Sequence, residues 1–302
     1  MVKVFITTIT FNSHKATLEC LESIEKLEKE NFELFVMVID NASKEVFETS
    51  REYKNFKLKV LRSEENLGFS GGQNLGIRNA LKEGADFIIV LNNDTILNRK
   101  LIKSLIASFK ADVGIVSPKI YFAKGYEFHK DRYKETEKGK VFWYAGGIID
   151  WSNVIAKHRG VDEVDKGQYS KVSEIEFATG CCMALRKEIF QNVGFFDDKY
   201  FLYLEDCDLS KRVKMKKLKV IYQPNAVLWH KNAASAGGSG SALQDYYITR
   251  NRLLFGFKYA SVRAKLALIK ESIKLMFSGR QWQKKGIRDF YLQRFGKGSF
   301  KP

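Results

Sequence analysis

The chain opens with short apolar runs that alternate with segments of helical spacing. Residues 3–9 are rich in β-formers, and residues 12–29 place Ala16, Cys20, Leu21, Ile24 and Leu27 at helical intervals. Residues 34–39, 57–61 and 87–91 predict three further strands, and residues 73–82 a helix stopped by Gly84. Strands alternating with helices on short connections imply an α/β fold with a parallel sheet and right-handed crossovers. Farther on, a helical run follows the acids at 205–208, and apolar stretches at 220–222 and 226–229 flank Pro224.

Composition fits a globular protein of 302 residues, 45% hydrophobic and 28% charged, long enough to bury a large core. The net charge of +16 is unevenly placed. Residues 250–302 hold 14 Lys/Arg against 2 Asp/Glu, whereas residues 1–249 hold 37 against 33. Cys20, Cys181, Cys182 and Cys207 have neither the density of a disulfide scaffold nor a CxxC spacing, so a reducing cytosol is expected. No apolar run approaches bilayer-crossing length, and the opening MVKVFITTITF lacks a small-residue cleavage site and reads as a first strand.

The candidate chemistry lies where strands end. FIIVL runs into Asn92, Asn93 and Asp94, and open α/β sheets bind ligands at the carboxyl ends of such strands. An oxygen-rich cluster there suits a hard cation that also holds phosphates, although a strand followed by an Asx turn has the same composition. The first strand runs into Thr8, Thr10 and Asn12, the second into Asp40, and the third into ENLGFSGGQNLGI, residues 65–77. Gly68, Gly71 and Gly72 allow close backbone approach, and a helix opening near Gln73 would offer free amides to a phosphate or sugar. The spacing is neither GxGxxG nor GxxxxGK[ST], and the loop also reads as a tight turn. In the second half the aromatic run FLYL precedes Glu205, Asp206 and Asp208. These acids complement a helix dipole, but half-buried neighbouring carboxylates also supply a general base. His230 follows a strand end and precedes the Gly/Ser stretch AASAGGSGSA, a context for a metal ligand or phosphate contact.

TFN, VIDNAS, ENLGFSGGQN, VLNNDTIL, ATGCCMALRKEIFQNVGFFDDKYFLYLEDCDLSKRV and WHK, in this order over roughly residues 3–255, resemble family-two inverting glycosyltransferases of the GT-A fold, nearest the rhamnosyltransferase-like branch of bacterial cell-surface glycan synthesis. The resemblance implies a Rossmann-like, mostly parallel mixed sheet. It implies that Asp40 reads the nucleotide, that Asn92, Asn93 and Asp94 stand for the DxD motif, and that Asp206 is the base with Glu205 beside it. His230 would join Asp94 at Mn2+ or Mg2+, and Asn66, Gly68, Gly71, Gly72 and Asn74 would line the donor, together with Thr8 and Asn12. The expected donor is dTDP-L-rhamnose, with UDP-sugars next, and the expected acceptor a glycan or lipid-linked glycan. Asn92-Asn93-Asp94 has one carboxylate where the motif has two. Gln281-Trp282 is not followed by the QxxRW pattern of processive synthases, which argues against a polymerase.

Residues 256–302 are read as a basic helical tail on a catalytic domain of residues 1–255. Val262, Leu266, Ile269, Ile273 and Met276 share one helical face bordered by Arg263, Lys265, Lys270 and Lys274. That face fits either packing on the catalytic domain or an anionic membrane surface, and on the second reading removal of 262–302 would leave donor chemistry little changed. The expected location is cytoplasmic, peripheral to the inner face of the plasma membrane, with oligomers allowed. A nucleic-acid partner would account for the basic tail but not for the acidic cluster, so none is expected. An inactive membrane-associated scaffold of the same fold is the alternative to an enzyme.

Overall fold

The computed structural model describes residues 1–232 and 241–301. Its elements are, in order, β1 (Val2–Thr10), α1 (His14–Ile24), β2 (Phe32–Asn41), β3 (Lys57–Ser63), α2 (Gly68–Lys82), β4 (Phe87–Asn92), β5 (Thr95–Leu97), α3 (Leu101–Ile106) and β6 (Val113–Phe122). There follow β7 (Phe142–Tyr144), β8 (Gly147–Asp150), β9 (Ile155–His158), β10 (Ser173–Glu174), β11 (Cys182–Arg186), α4 (Lys187–Asn192), α5 (Glu205–Met215) and β12 (Lys219–His230). Three helices close the chain: α6 (Ala242–Tyr259), α7 (Val262–Ser278) and α8 (Gln281–Tyr291).

Among the described residues one sheet runs in the order β10-β12-β6-β11-β4-β1-β2-β3, with β5 and β7 attached to β12 and β6. β3, β2, β1 and β4 are parallel, as the sequence predicts. β1, β2 and β4 are apolar along much of their length because they are covered on both faces, with Val4, Phe5, Ile6 and Ile88 to Leu91 essentially inaccessible, whereas the edge strand β3 is largely exposed. The sheet is mixed rather than wholly parallel, since β11 lies antiparallel between β4 and β6. The two apolar stretches around Pro224 are one strand, β12, with its register interrupted between Gln223 and Val227.

Helix α2 begins at Gly68, five residues earlier than the periodicity predicts. Its glycines serve contacts within the protein. A Cβ on Gly76 would come 2.6 Å from Ile39 Cδ1, and one on Gly72 2.7 Å from Ile9 Cδ1, so the helix lies unusually close to β1 and β2. Helix α1 is shorter than expected and ends at Ile24. Of the Gly/Ser stretch after His230, residues 233–240 lie outside the described residues.

The division at 255/256 falls inside α6, and α6 packs on both α7 and α8. Arg250 of α6 is fully buried and donates to the carbonyls of Gly296 and Arg294 on one side and of Lys199 and Tyr200 on the other. The end of the chain is thereby tied to the segment before α5. Helix α7 presents most of its predicted stripe outward: Val262 is 74% exposed, Leu266, Ile273 and Met276 are also exposed and Ile269 is half-buried, while Phe277, outside the predicted stripe, is 83% exposed. The side that packs is the opposite one, Ala264, Leu268 and Ser272. No helix among the described residues is long and apolar enough to cross a membrane.

Candidate active site

The carboxyl ends of β1, β2 and β4 and the start of α2 enclose an open cleft of about 600 Å³. Asn12, Asn41, Asn66, Gly68, Asn92, Asn93 and Asp94 line it, with Phe69, Phe201 and Leu202 forming an apolar side. Asn41 fixes the rim: its Oδ1 accepts from Leu67 N (2.9 Å), and its Nδ2 donates to Asn66 Oδ1 and to the Gly68 carbonyl (both 3.1 Å). Asn12 holds φ +53° and bonds through its backbone N–H to Ser43 and through its side chain to Lys44 N (2.8 Å). Asn93 Nδ2 donates to Ser13 and Thr17, which anchors the turn after β4 on α1.

At that turn Asp94 meets His230 from the end of β12, with Nε2 3.0 Å from Oδ1 and both side chains nearly buried. Pairing of β5 with β12 brings them together across 136 positions of sequence, because Thr95 lies opposite His230. Trp143 packs edge-on against the imidazole, ring centroids 4.5 Å apart, and Nδ1 is buried with no partner among the described residues. One carboxylate and one imidazole form an incomplete ligand set, and no group of three His, Cys, Asp or Glu able to hold a metal occurs among the described residues. Such a pair fits a cation whose remaining ligands are diphosphate oxygens and water. It does not fit a cation held by protein alone.

The acids stand at the first turn of α5. Asp206 Oδ2 accepts from Gly180 N (2.9 Å) and Oδ1 from Cys207 N (2.8 Å). Burial raises its carboxyl above the ordinary range against the lowering effect of these amides. Glu205 is pushed up further by burial and then by the charge on Asp206, and its Oε2 is buried without a partner among the described residues. Asp208 is saturated. Lys258 Nζ (2.6 Å), Tyr259 Oη (2.8 Å) and Tyr200 Oη (3.2 Å) reach one oxygen and Arg212 Nε (2.7 Å) the other, so it ties α5 to α6 rather than offering itself as a base. Gly180 joins the two centres: its N–H holds Asp206, while the next carbonyl, Cys181 O, accepts from Asn92 N (2.8 Å) at the turn bearing Asp94.

Several predicted site residues face inward instead. Asp40 is fully buried. It accepts from Ser43 N (2.9 Å), Phe47 N (3.0 Å) and Arg62 (2.5 Å), and although burial would raise its carboxyl, these bonds hold it below the ordinary range. Asn41, not Asp40, faces the cleft. Asn74 is also fully buried and clamps Phe196 and Asp198. Thr8 is buried in β1 with its hydroxyl unpartnered among the described residues. Gly68 backs onto Phe201, where a Cβ would come 2.5 Å from the ring, and Gly71 onto Leu67. The amides of Phe69 and Ser70 already donate to the Phe201 carbonyl (2.7 and 3.3 Å), so the opening of α2 is not the free anion cradle the glycines suggest. Phe69 lies in the glycine-rich stretch already assigned to the donor, whereas sequence reasoning missed Phe201 and Leu202 as cleft walls. Their one signal was the aromatic run next to the acids.

A mostly parallel sheet with a cleft at its strand ends, a carboxylate–imidazole pair there and a separate raised carboxylate form an arrangement of the GT-A kind. Residues 5–194 match the protein family described as Glycosyl transferase family 2, and the chain belongs to it. Asp206, His230 and the closing helices lie beyond the matched segment. Among curated proteins the chain is 24% identical over 220 residues to the low-salt glycan biosynthesis hexosyltransferase Agl10 of Haloferax volcanii, covering 72% of this chain and 66% of that one. It is 23% identical over 262 residues to the dTDP-rhamnosyl transferase RfbF of Shigella flexneri, covering 83% and 79%. GalNAc-T7 solved with UDP, GalNAc and Mn2+ shares the fold with a TM-score of 0.61 at 14% identity, over 97% of this chain and 57% of that one. The mannosyltransferase PcManGT from Pyrobaculum calidifontis gives 0.51 at 13% identity, over 98% and 76%. The chain thus spans about two thirds of the Haloferax relative and little more than half of GalNAc-T7.

Proposed function

We propose that this family member is an inverting glycosyltransferase that moves a sugar from a nucleoside diphosphate to a hydroxyl of a glycan or lipid-linked glycan. The observation that carries the reading is the Gly180–Cys181 link between Asp206 and the turn bearing Asp94. It ties Asp206 and the Asp94 turn to consecutive residues of one segment, which supports a proton acceptor near a departing diphosphate. Asp206 takes the acceptor's proton as its oxygen attacks the anomeric carbon from the side opposite the leaving group, so the configuration inverts. Asp94 and His230 would hold Mn2+ or Mg2+, which would offset the charge growing on the departing diphosphate. Asn12, Asn41, Asn66 and the Phe69 and Phe201 rings hold the donor, and Asp40 reads a base only after the Arg62 guanidinium swings aside. The likeness to RfbF makes dTDP-L-rhamnose the first donor to test, and GalNAc-T7 with UDP makes a UDP-sugar the second. Incubation with a panel of nucleotide sugars and Mn2+ should release nucleoside diphosphate from one of them, with inverted configuration by NMR. Retained configuration would overturn the inverting mechanism, and no turnover with any donor would leave an inactive transferase-like scaffold.

The acceptor is met at a membrane surface. The outward stripe of α7 with Arg263, Lys265, Lys270 and Lys274 beside it, and +12 of charge on residues 250–302, fit the anionic cytoplasmic leaflet through shallow burial and charge attraction. We expect cosedimentation with phosphatidylserine vesicles that is lost in Leu266→Glu with Phe277→Glu, and weakened by high salt as screening demands. Binding unchanged by either treatment would assign the stripe to protein contacts instead.

A further inference from the structure

We infer that Arg250 and Asn251 of α6 are positioning residues that hold the backbone presenting the catalytic carboxylates, which makes the closing helices a working part of the active site. The inference rests on the proposed role of Asp206. The segment entering α5 is twisted into the left-handed region at three bulky residues, Phe201 (φ 62°), Tyr203 (φ 71°) and Leu204 (φ 70°). Side chains with a Cβ rarely adopt that conformation unless the surroundings impose it. Here the surroundings are explicit. Asn251 Nδ2 donates to the carbonyls of Tyr200 (2.8 Å), Leu202 (2.8 Å) and Tyr203 (2.9 Å). Arg250 Nη2 donates to those of Lys199 (3.1 Å) and Tyr200 (3.0 Å), and its Nε to Asn251 Oδ1 (2.9 Å), which aims the amide. The remaining carbonyl, of Phe201, points the other way and receives Phe69 N and Ser70 N. Every carbonyl from residue 199 to 203 is thus captured, and the cleft wall and the carboxylates are set by one strained turn.

Packing alone does not call for these side chains. Arg250 is fully buried, and the hydrogen bonds of its guanidinium go to backbone carbonyls and the Asn251 amide oxygen, an arrangement that fixes backbone where an apolar residue would only fill space. Its Nη1 is held from behind by Gly296 O (2.7 Å), so order in residues 294–296 passes through Arg250 to the turn.

Asn251→Ala removes the one amide NH2 that serves three carbonyls, without touching either carboxylate. We expect kcat to fall at least tenfold with donor affinity by calorimetry changed less than threefold, and the carboxyl 13C titrations of Glu205 and Asp206 to move down toward ordinary values as the turn loosens and water enters. Arg250→Lys, which keeps the charge and loses the fork, should show a smaller version of both changes and covers the case in which Asn251→Ala fails to fold. Unmoved titrations in a folded variant, with kcat lowered only in proportion to folded fraction, would overturn the inference. A failed base assignment looks different: Asp206→Asn would stay active while the Asn251→Ala titrations still moved.

Discussion

Asp206→Asn should lower transfer by about 10²–10⁴-fold, the range typical of losing a general base, while donor binding survives. The substitution is nearly isosteric, and Gly180 N can still bond to the amide oxygen, so the loss reads the proton acceptor and not the fold. Because burial raises Asp206, the acid limb of kcat/KM against pH should lie above the usual carboxylate range of about 4, and the variant should lack that limb. The neighbouring Glu205 gives a second reading. Its folded-state carboxyl is raised, first by burial, so the stability it contributes is present when it is protonated and is lost as pH rises through that raised value. Glu205→Gln should therefore melt at least as high as the parent at neutral pH, and the advantage should vanish in acid. Near-normal turnover in Asp206→Asn with loss in Glu205→Gln would move the base by one residue.

Asp94→Ala should abolish both turnover and donor-dependent Mn2+ binding. A cation at a departing diphosphate contributes several kcal/mol, so a fall of roughly two orders of magnitude or more is expected. With only Asp94 and His230 to offer, the protein alone should bind Mn2+ weakly, and nucleoside diphosphate should tighten it in a titration followed by electron paramagnetic resonance. His230→Ala should weaken that binding less than loss of the carboxylate does, since Asp94 carries the charge. Full turnover in excess chelator would overturn the assignment.

The parallel strands were legible because β4 and its neighbours are covered on both faces and so read as unbroken apolar runs. The start of α2 was not, because glycine lowers helix propensity while Gly72 and Gly76 are there to let the helix approach Ile9 and Ile39. The stripe on α7 was found, but periodicity reports a face and not its direction; the helix packs through the smaller Ala264, Leu268 and Ser272. The Asp94–His230 pair was legible only through family resemblance, since nothing local links residues 136 apart. That Asp40 also caps its own loop was not legible, because a carboxylate bonded to Ser43 and Phe47 has the same letter as one that meets only a ligand. Arg250 and Asn251 left no trace, for their hydrogen bonds run to backbone carbonyls and to each other, and backbone carbonyls carry no sequence signal.

Asp206 and the turn bearing Asp94 are tied to consecutive residues of one short segment. Asp206 accepts from the Gly180 N–H (2.9 Å) and Asn92 N donates to the Cys181 carbonyl (2.8 Å), so a large displacement of the start of α5 relative to the end of β4 must either turn the backbone at 180–181 or break one of these bonds. On the proposed assignment this tether restrains the spacing of base and cation before substrate arrives, and motion during a turnover cycle is to be sought first in the elements that admit and release ligands.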